Sequence, residues 1–404
     1  MCKTLCMKGL AFGILLLFLG TGLFSAYAQK TEQPLRPSGK GNWWYVGGSG
    51  PGNFTTIQDA INASSEGDTV FVYAESSPYR SVVVNKSMHL LGEQANITII
   101  DGEYMGDVVW IQSERVVLSN FTITHGDGED LLRDFFRAGV RITASNVTIK
   151  NNIIRDNRKG ILGLRVTNIS ICDNCFFHDG VTFSPYENEG RPPILREYFD
   201  HTIQNNVVNG KPLYYFHNQT QITVPADAGQ VIAVNCEQLF LRNASIHQVD
   251  DAGVILAFCS YCVVEQSVFS EDAMVWLFCS DHTLIQGNTL KNNLHGLCLD
   301  YGSTENIIQS NTIAQNQMAG VMVEYHSNEN RILLNNLMQN DYNSYMKQCF
   351  KNRWSKNYWS DWIGLQSAFL KFFPKLILGQ LLEGYRIPNV SFDWNPASEP
   401  YDIA

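Results

Sequence analysis

Basic residues are scarce in this chain: 29 Lys and Arg stand against 39 Asp and Glu, a formal charge of −10, and no basic stripe breaks that balance. A nucleic-acid partner is thereby disfavoured. Long amphipathic helices and a dense leucine ladder are also missing, which excludes helical repeats and leucine-rich repeats. No second Cys/His pair lies at zinc-ribbon spacing from Cys172-x-x-Cys175 or Cys259-x-x-Cys262, so both pairs read as small apolar side chains. Beyond the N-terminus no apolar run spans a bilayer, because Leu365 to Leu382 is broken by Lys371, Pro374 and Lys375.

What the chain does have is a beat of Asn, an apolar residue two later and Asn five later. Asn152-Ile154-Asn157, Asn288-Leu290-Asn293, Asn311-Ile313-Asn316 and Asn335-Leu337-Asn340 fit it, the last three starting 23 and 24 residues apart. The segments between are short and rich in Val and Ile, as in Val82-Val83-Val84, or alternate, as in Asn146-Val147-Thr148-Ile149-Lys150. Such a period with period-2 strands describes one coil stacked on copies of itself. The Asn residues read as corners, where Asn tolerates left-handed backbone angles. The expected fold is all-β, a right-handed parallel β-helix over about Val70 to Asn340.

Four regions follow. Residues 1–28 read as a secretory signal, with Lys3 and Lys8, an apolar run from Leu10 to Phe24 and Ala26-Tyr27-Ala28 before Gln29; a retained anchor is the alternative. Residues 29–53 form a polar leader, 54–350 the β-helix and 351–404 an aromatic and apolar cap. Ile57, Ala60 and Ile61 have helical spacing and predict a short helix capping the first coil. The beat stops at Val181 and resumes near Val231, so 181–230 reads as an excursion that folds over one face as a wall of the ligand groove. The protein is thus expected outside the cytoplasm, secreted, at the cell surface or in a periplasm, with no membrane span after cleavage; 365–382 is either the cap or an interfacial contact. Eight cysteines remain after cleavage, and coil alignment puts Cys236, Cys259 and Cys279 on one interior ladder as free thiols. Ten Asn-x-Ser/Thr sequons are mostly by-products of the Asn corners.

Several motifs resemble those of NosD-like parallel β-helix repeat proteins, a family common among archaeal surface proteins. They are Phe54-Thr55-Thr56-Ile57-Gln58-Asp59-Ala60-Ile61 with Gly67-Asp68-Thr69-Val70, Leu90-Leu91-Gly92-Glu93, Asn209-Gly210-Lys211-Pro212-Leu213-Tyr214-Tyr215, and Asn357-Tyr358-Trp359-Ser360-Asp361-Trp362. The resemblance implies the fold, and it implies an accessory role in copper-site maturation of nitrous oxide reductase or a carbohydrate-binding role.

Three clusters carry candidate chemistry. Asp250-Asp251 and Glu271-Asp272 fall near equivalent corners and are the candidates for acid/base glycoside hydrolysis or Ca²⁺-dependent lyase chemistry. A lyase would need an Arg base, yet no Arg lies between Arg242 and Arg331, so solvated turn carboxylates are the plainer reading. His282, His295, Glu324 and His326, with Asp281 and Asp300, are of types that suit a transition metal such as copper, although exposed corner residues without a ligand are the plainer reading. Arg191, Arg196, Glu197, Tyr198, Tyr214 and Tyr215 in the excursion are the candidates for glycan binding; Tyr214 and Tyr215 could equally fasten the excursion to the wall. The leading expectation is a non-catalytic module for glycan or another extracellular polymer that needs no cofactor; a lyase or hydrolase and a metal-site accessory protein are the alternatives.

Overall fold

Strands of three or four residues, each followed by a polar corner, cannot bury both faces alone, so the chain closes its coils by stacking them. The computed structural model describes residues 41–127, 137–185, 194–362, 374–382 and 385–403. It is a right-handed parallel β-helix of about 13 turns. Each wall is a parallel sheet whose inward positions stack in register. Leu118, Ile149, Ile171 and Ile203 form one such column, and Ile123, Ile154, Phe176 and Val208 a second. After the excursion the columns resume as Val254, Val275, Leu297 and Val321, and as Ile246, Phe269, Leu290, Ile313, Leu337 and Trp359. Nearly all of these side chains are inaccessible to solvent, forming one continuous apolar core.

The beat is an internal hydrogen-bond ladder. Asn288, Asn311, Asn335 and Asn357 are fully buried; the side-chain oxygens of the last three each take the backbone N–H and side-chain amide of the Asn in the coil before at 2.9–3.1 Å, and that of Asn288 takes Ser267 N at 3.0 Å. Their amides also donate to backbone carbonyls of the preceding coil, as Asn335 Nδ2 does to Ile308 O at 2.9 Å. Left-handed corner Asn residues do occur, at Asn120 and Asn151 with φ of 64° and 54°, but the Asn of the beat is not itself the left-handed residue. The left-handed backbone belongs to the residue before each ladder Asn, with φ of 54° at Asn151, 55° at Asp156, 56° at Asn292 and 57° at Gln315. The ladder Asn is kept because its amide satisfies buried backbone that the turn leaves unpaired.

The ends are closed as expected. Helix Ile57–Ala63 has Thr56 as N-cap, accepting from Asp59 N, and buries Ile57, Ala60 and Ile61. At the other end strands Lys375–Leu382 and Tyr385–Asp393 pair as an antiparallel hairpin that extends the last coil through Met346↔Gly379 and Trp354↔Asp393. Asp393 replaces the next ladder Asn: its Oδ2 accepts from Asn357 N at 2.9 Å, Asn357 Nδ2 at 3.0 Å and Trp359 Nε1 at 3.1 Å. The described part of 365–382 is therefore cap strand.

Three boundaries differ from expectation. Trp43–Val46, assigned to the leader, is the first strand and pairs with Thr69–Val72. The coils continue past Asn340 through Tyr342–Lys347, Arg353–Ser355 and Tyr358–Trp359. The excursion is largely regular, since Thr202–Gln204 and Val207–Val208 continue two walls and Asn206 sits in the Asn ladder beside Asn174. The signal segment lies outside the described residues, and no helix among them is long and apolar enough to cross a membrane.

The thiol ladder is also shifted. A register irregularity at Ala252/Val254 sets Ala257 opposite Phe278, so Cys259 stacks on Ser280, whose hydroxyl accepts from Cys259 N at 2.9 Å. The column runs Cys236, Cys259, Ser280, Ser303 and Ser327. Cys279 sits one residue earlier at φ 49°, half-buried, with its thiol donating to Tyr301 O at 2.9 Å. All eight described cysteines are free. Non-reducing mass spectrometry is expected to find Cys236, Cys259 and Cys279 unbridged; a disulfide between any two would contradict the stacking.

Candidate functional site

One corner of the solenoid collects charge. Around the left-handed corner residues the successive coils place Arg158-Lys159, Asp179, Asp250-Asp251, Asp272 and Leu294-His295 along the helix axis, Asp250 and Asp272 being left-handed themselves with φ of 60° and 62°. They outline a cleft of ≈ 230 Å³ lined by Asp127, Asp156, Arg158, Lys159, Asp250 and Asp272, with Leu294 and Gln317 farther along the stack. Coils on either side of the excursion meet here because the buried Gln230 side chain joins them. Its Nε2 donates to Val181 O at 2.9 Å and Ala252 O at 2.8 Å, and its Oε1 accepts from Val181 N at 3.0 Å.

Lys159 Nζ lies 2.6 Å from Asp251 Oδ2, with the two side chains only 5% and 7% exposed. Arg158 reaches Asp127 at 3.7 Å, and the His178 ring is 2.9 Å from Asp156. Asp179 occupies a ladder position, accepting from Asn157 N at 3.1 Å and Asn157 Nδ2 at 2.6 Å. It also shares a carboxyl–carboxyl hydrogen bond with Asp250. Two carboxylates that close, out of water, cannot both ionise. Burial raises both; the Asp179 charge raises Asp250 further, while hydrogen bonds from Asn157 and Asp250 hold Asp179 lower, so the pair keeps its proton on Asp250. Burial likewise raises Asp272, a hydrogen bond from the Leu294 backbone opposing it, with Asp251 adding to the rise and Lys159 and Arg158 working against it. His295 is pushed down to about 4 by burial, and its Nδ1 accepts from Ala319 N at 3.3 Å, so the neutral ring carries its proton on Nε2.

The proton on the Asp179–Asp250 pair has a consequence for stability. Above the ordinary aspartate value of 3.8 the unfolded chain has released a proton that the native pair keeps. Native protein then binds more protons, and stability falls as pH rises through that window. Asp250→Asn retains a donor toward Asp179 and is expected to flatten the fall. Denaturation midpoints measured across pH would acquit the pair if variant and parent ran parallel.

The structure treats the sequence candidates unequally. Asp250, Asp251 and Asp272 come together, while Glu271 is exposed at φ 55° on the rim. Arg158 supplies the Arg that the sequence between Arg242 and Arg331 does not contain, and Lys159 adds a second cation beside it. They come from a coil that precedes the excursion, Lys159 standing 92 positions (251 − 159) before Asp251 in the chain, and sequence neighbourhood therefore hid them. A signal existed: Asn174-Phe176-Asp179 and Ser267-Phe269-Asp272 keep the beat with Asp in the second Asn position.

The metal candidates do not converge. His282 is held between Asp281 and Glu305, each at 3.1 Å, His326 is exposed at φ 65°, and Glu324 lies beside buried Asp300. His295 is on the charged corner instead. Among the excursion candidates Arg191 lies outside the described residues. Arg196 and Glu197 are exposed on the short turn Arg196–Tyr198, and Tyr198 packs half-buried on the core. Tyr214 donates to Asp227 at 2.9 Å, whereas the Tyr215 hydroxyl donates to Phe199 O and accepts from His201 N, both at 2.9 Å. Tyr215 thus fastens the segment, and none of the described excursion candidates lines the cleft.

Residues 194–364 match the family model for the periplasmic copper-binding protein NosD. The repeat is NosD-like. Solved structures similar to the chain include a GH136 lacto-N-biosidase from Eubacterium ramulus, at 13% identity and TM-score 0.35, over 78% of this chain and 68% of that one. A GH87 alpha-1,3-glucanase catalytic domain matches at 11% identity and TM-score 0.32, over 81% and 71%. The periplasmic alginate epimerase AlgG matches at 12% identity and TM-score 0.22, over 73% and 60%. No curated protein sequence matches the chain. Copper does not suit this NosD-like repeat as it stands: among the described residues no group of three or more His, Cys, Asp or Glu is arranged to hold a metal ion. The Cys236, Cys259 and Cys262 thiols are committed to lumen carbonyls and to one another.

Proposed function

We propose that this is an extracytoplasmic β-helix protein that binds a short stretch of glycan in the corner cleft without turning it over. The cleft carries the reading. It is ≈ 230 Å³, sits on a rigid stack, and gathers fixed polar groups of both charges beside Leu294, the mix that orients a hydroxyl-rich ligand. The N-terminal apolar segment and the periplasmic family it resembles support a location outside the cytoplasm. A glycan-array screen coupled to reducing-end and unsaturated-product assays tests the proposal. Binding without product is the expected result, and accumulation of product would sink it.

One observation favours acid/base hydrolysis as the second reading. Asp250 shares a retained proton with Asp179 while its neighbour Asp251 is paired with Lys159, so two carboxyl groups of opposite protonation lie side by side. On that reading the same assays give saccharide product, and Asp250→Asn abolishes it.

A further inference from the structure

The charge arrangement of the cleft identifies a ligand class, given the glycan-binding reading above. Its two cations are already matched, Arg158 by Asp127 and Lys159 by Asp251. The other lining acids are Asp156, which meets His178 at 2.9 Å, Asp250, which shares a proton with Asp179, and Asp272, which accepts from the Leu294 backbone and whose Oδ1 is buried with no hydrogen-bond partner among the described residues. A carboxylate can only accept hydrogen bonds, so this surface asks for donors. A uronate would bring a further anion to a site whose cations are engaged, and a neutral sugar would leave Asp272 without a cation of its own. We propose that the cleft selects an amine-bearing glycan, seating an ammonium group between Asp250 and Asp272.

The protonation of the site agrees with this. Asp272 faces Asp250, Asp251, Lys159 and Arg158, with Asp127 and Asp156 across the cleft and neutral His295 nearby. Burial holds Asp272 and Asp250 toward the acid form. An arriving ammonium favours the carboxylate. The exchange is R–NH₃⁺ plus Asp–COOH giving the R–NH₃⁺/Asp–COO⁻ pair plus H⁺, so binding releases a proton and tightens as pH rises while the amine stays charged.

Calorimetry of the secreted chain with a glucosamine oligomer, its N-acetylated counterpart and a galacturonate oligomer, in buffers of different ionisation enthalpy, tests this. The expected result is a preference of about tenfold or more for the free amine, with proton release. Asp272→Asn should erase the preference, its fold being checked by circular dichroism. If the N-acetylated or uronate oligomer binds as tightly, or no proton is released, the amine assignment falls and the cleft stands as a glycan site. If none of the three binds, the glycan reading itself falls with it.

Discussion

Asn335→Ala is expected to cost the solenoid about 3–5 kcal/mol, since each buried polar group left unpaired costs roughly 1–3 kcal/mol. The Asn335 side chain is fully buried and bonded on both sides. Its oxygen accepts from Asn311 N at 2.9 Å and Asn311 Nδ2 at 3.0 Å. Its amide donates to Ile308 O at 2.9 Å and Asn357 Oδ1 at 3.0 Å. Alanine removes all four in the middle of a ladder, where no water replaces them. Chemical denaturation against Gln339→Ala, an exposed corner substitution expected to stay within about 0.5 kcal/mol, gives the contrast. Equal midpoints for the two variants would show that the ladder is not what holds the coils.

Lys159→Met should be nearly as costly, at about 3–5 kcal/mol, because it strands a buried carboxylate rather than because the ion pair is itself strongly stabilising. Asp251 is almost inaccessible, and Asp250 and Asp272 stand beside it, so its charge has no alternative compensation as close as the 2.6 Å contact with Lys159. That reasoning fixes the behaviour of the double variant. Lys159→Met with Asp251→Asn should regain most of the loss, and a double-mutant cycle in stability measures it. Additive losses would mean that Lys159 acts mainly through other contacts.

These two sites show what a reader of the sequence could and could not obtain. The Asn335 ladder is legible because it is local: the five-residue beat and the 23- to 24-residue period describe one coil and its copies, and a coil's neighbours are always the previous and next coil. Its geometry was legible only in part, since the spacing alone does not tell the buried Asn from the left-handed residue before it. The Lys159–Asp251 pair is not legible in that way. The chain between them passes through the strands of 161–177, 181–208, 211–224 and 230–247, a stretch that breaks the beat, and contacts such as the Gln230 bridge across Val181 and Ala252 return the two residues to one corner.

The shifted thiol ladder teaches the same point at smaller scale. Strand Asp251–Ala257 pairs with the next coil so that Ala257 faces Phe278, one residue out of step with the Cys259–Cys279 alignment, and Ser280 rather than Cys279 enters the lumen. Strand alternation has period two, so a slip of one exchanges inside for outside. Sequence alignment by eye cannot see it.

By itself, then, the sequence determined the architecture: a parallel β-helix, a helical cap over the first coil, an aromatic cap over the last and an apolar column along each wall. Periodicity suffices for these because each depends on contacts between adjacent coils of near-constant length. The tertiary structure decided the cleft, its ion pair and its shared proton. Those depend on which coils become neighbours across an irregular segment, and on how deeply each carboxyl is removed from water, quantities that belong to the stacked molecule and not to the spacing of residues along the chain.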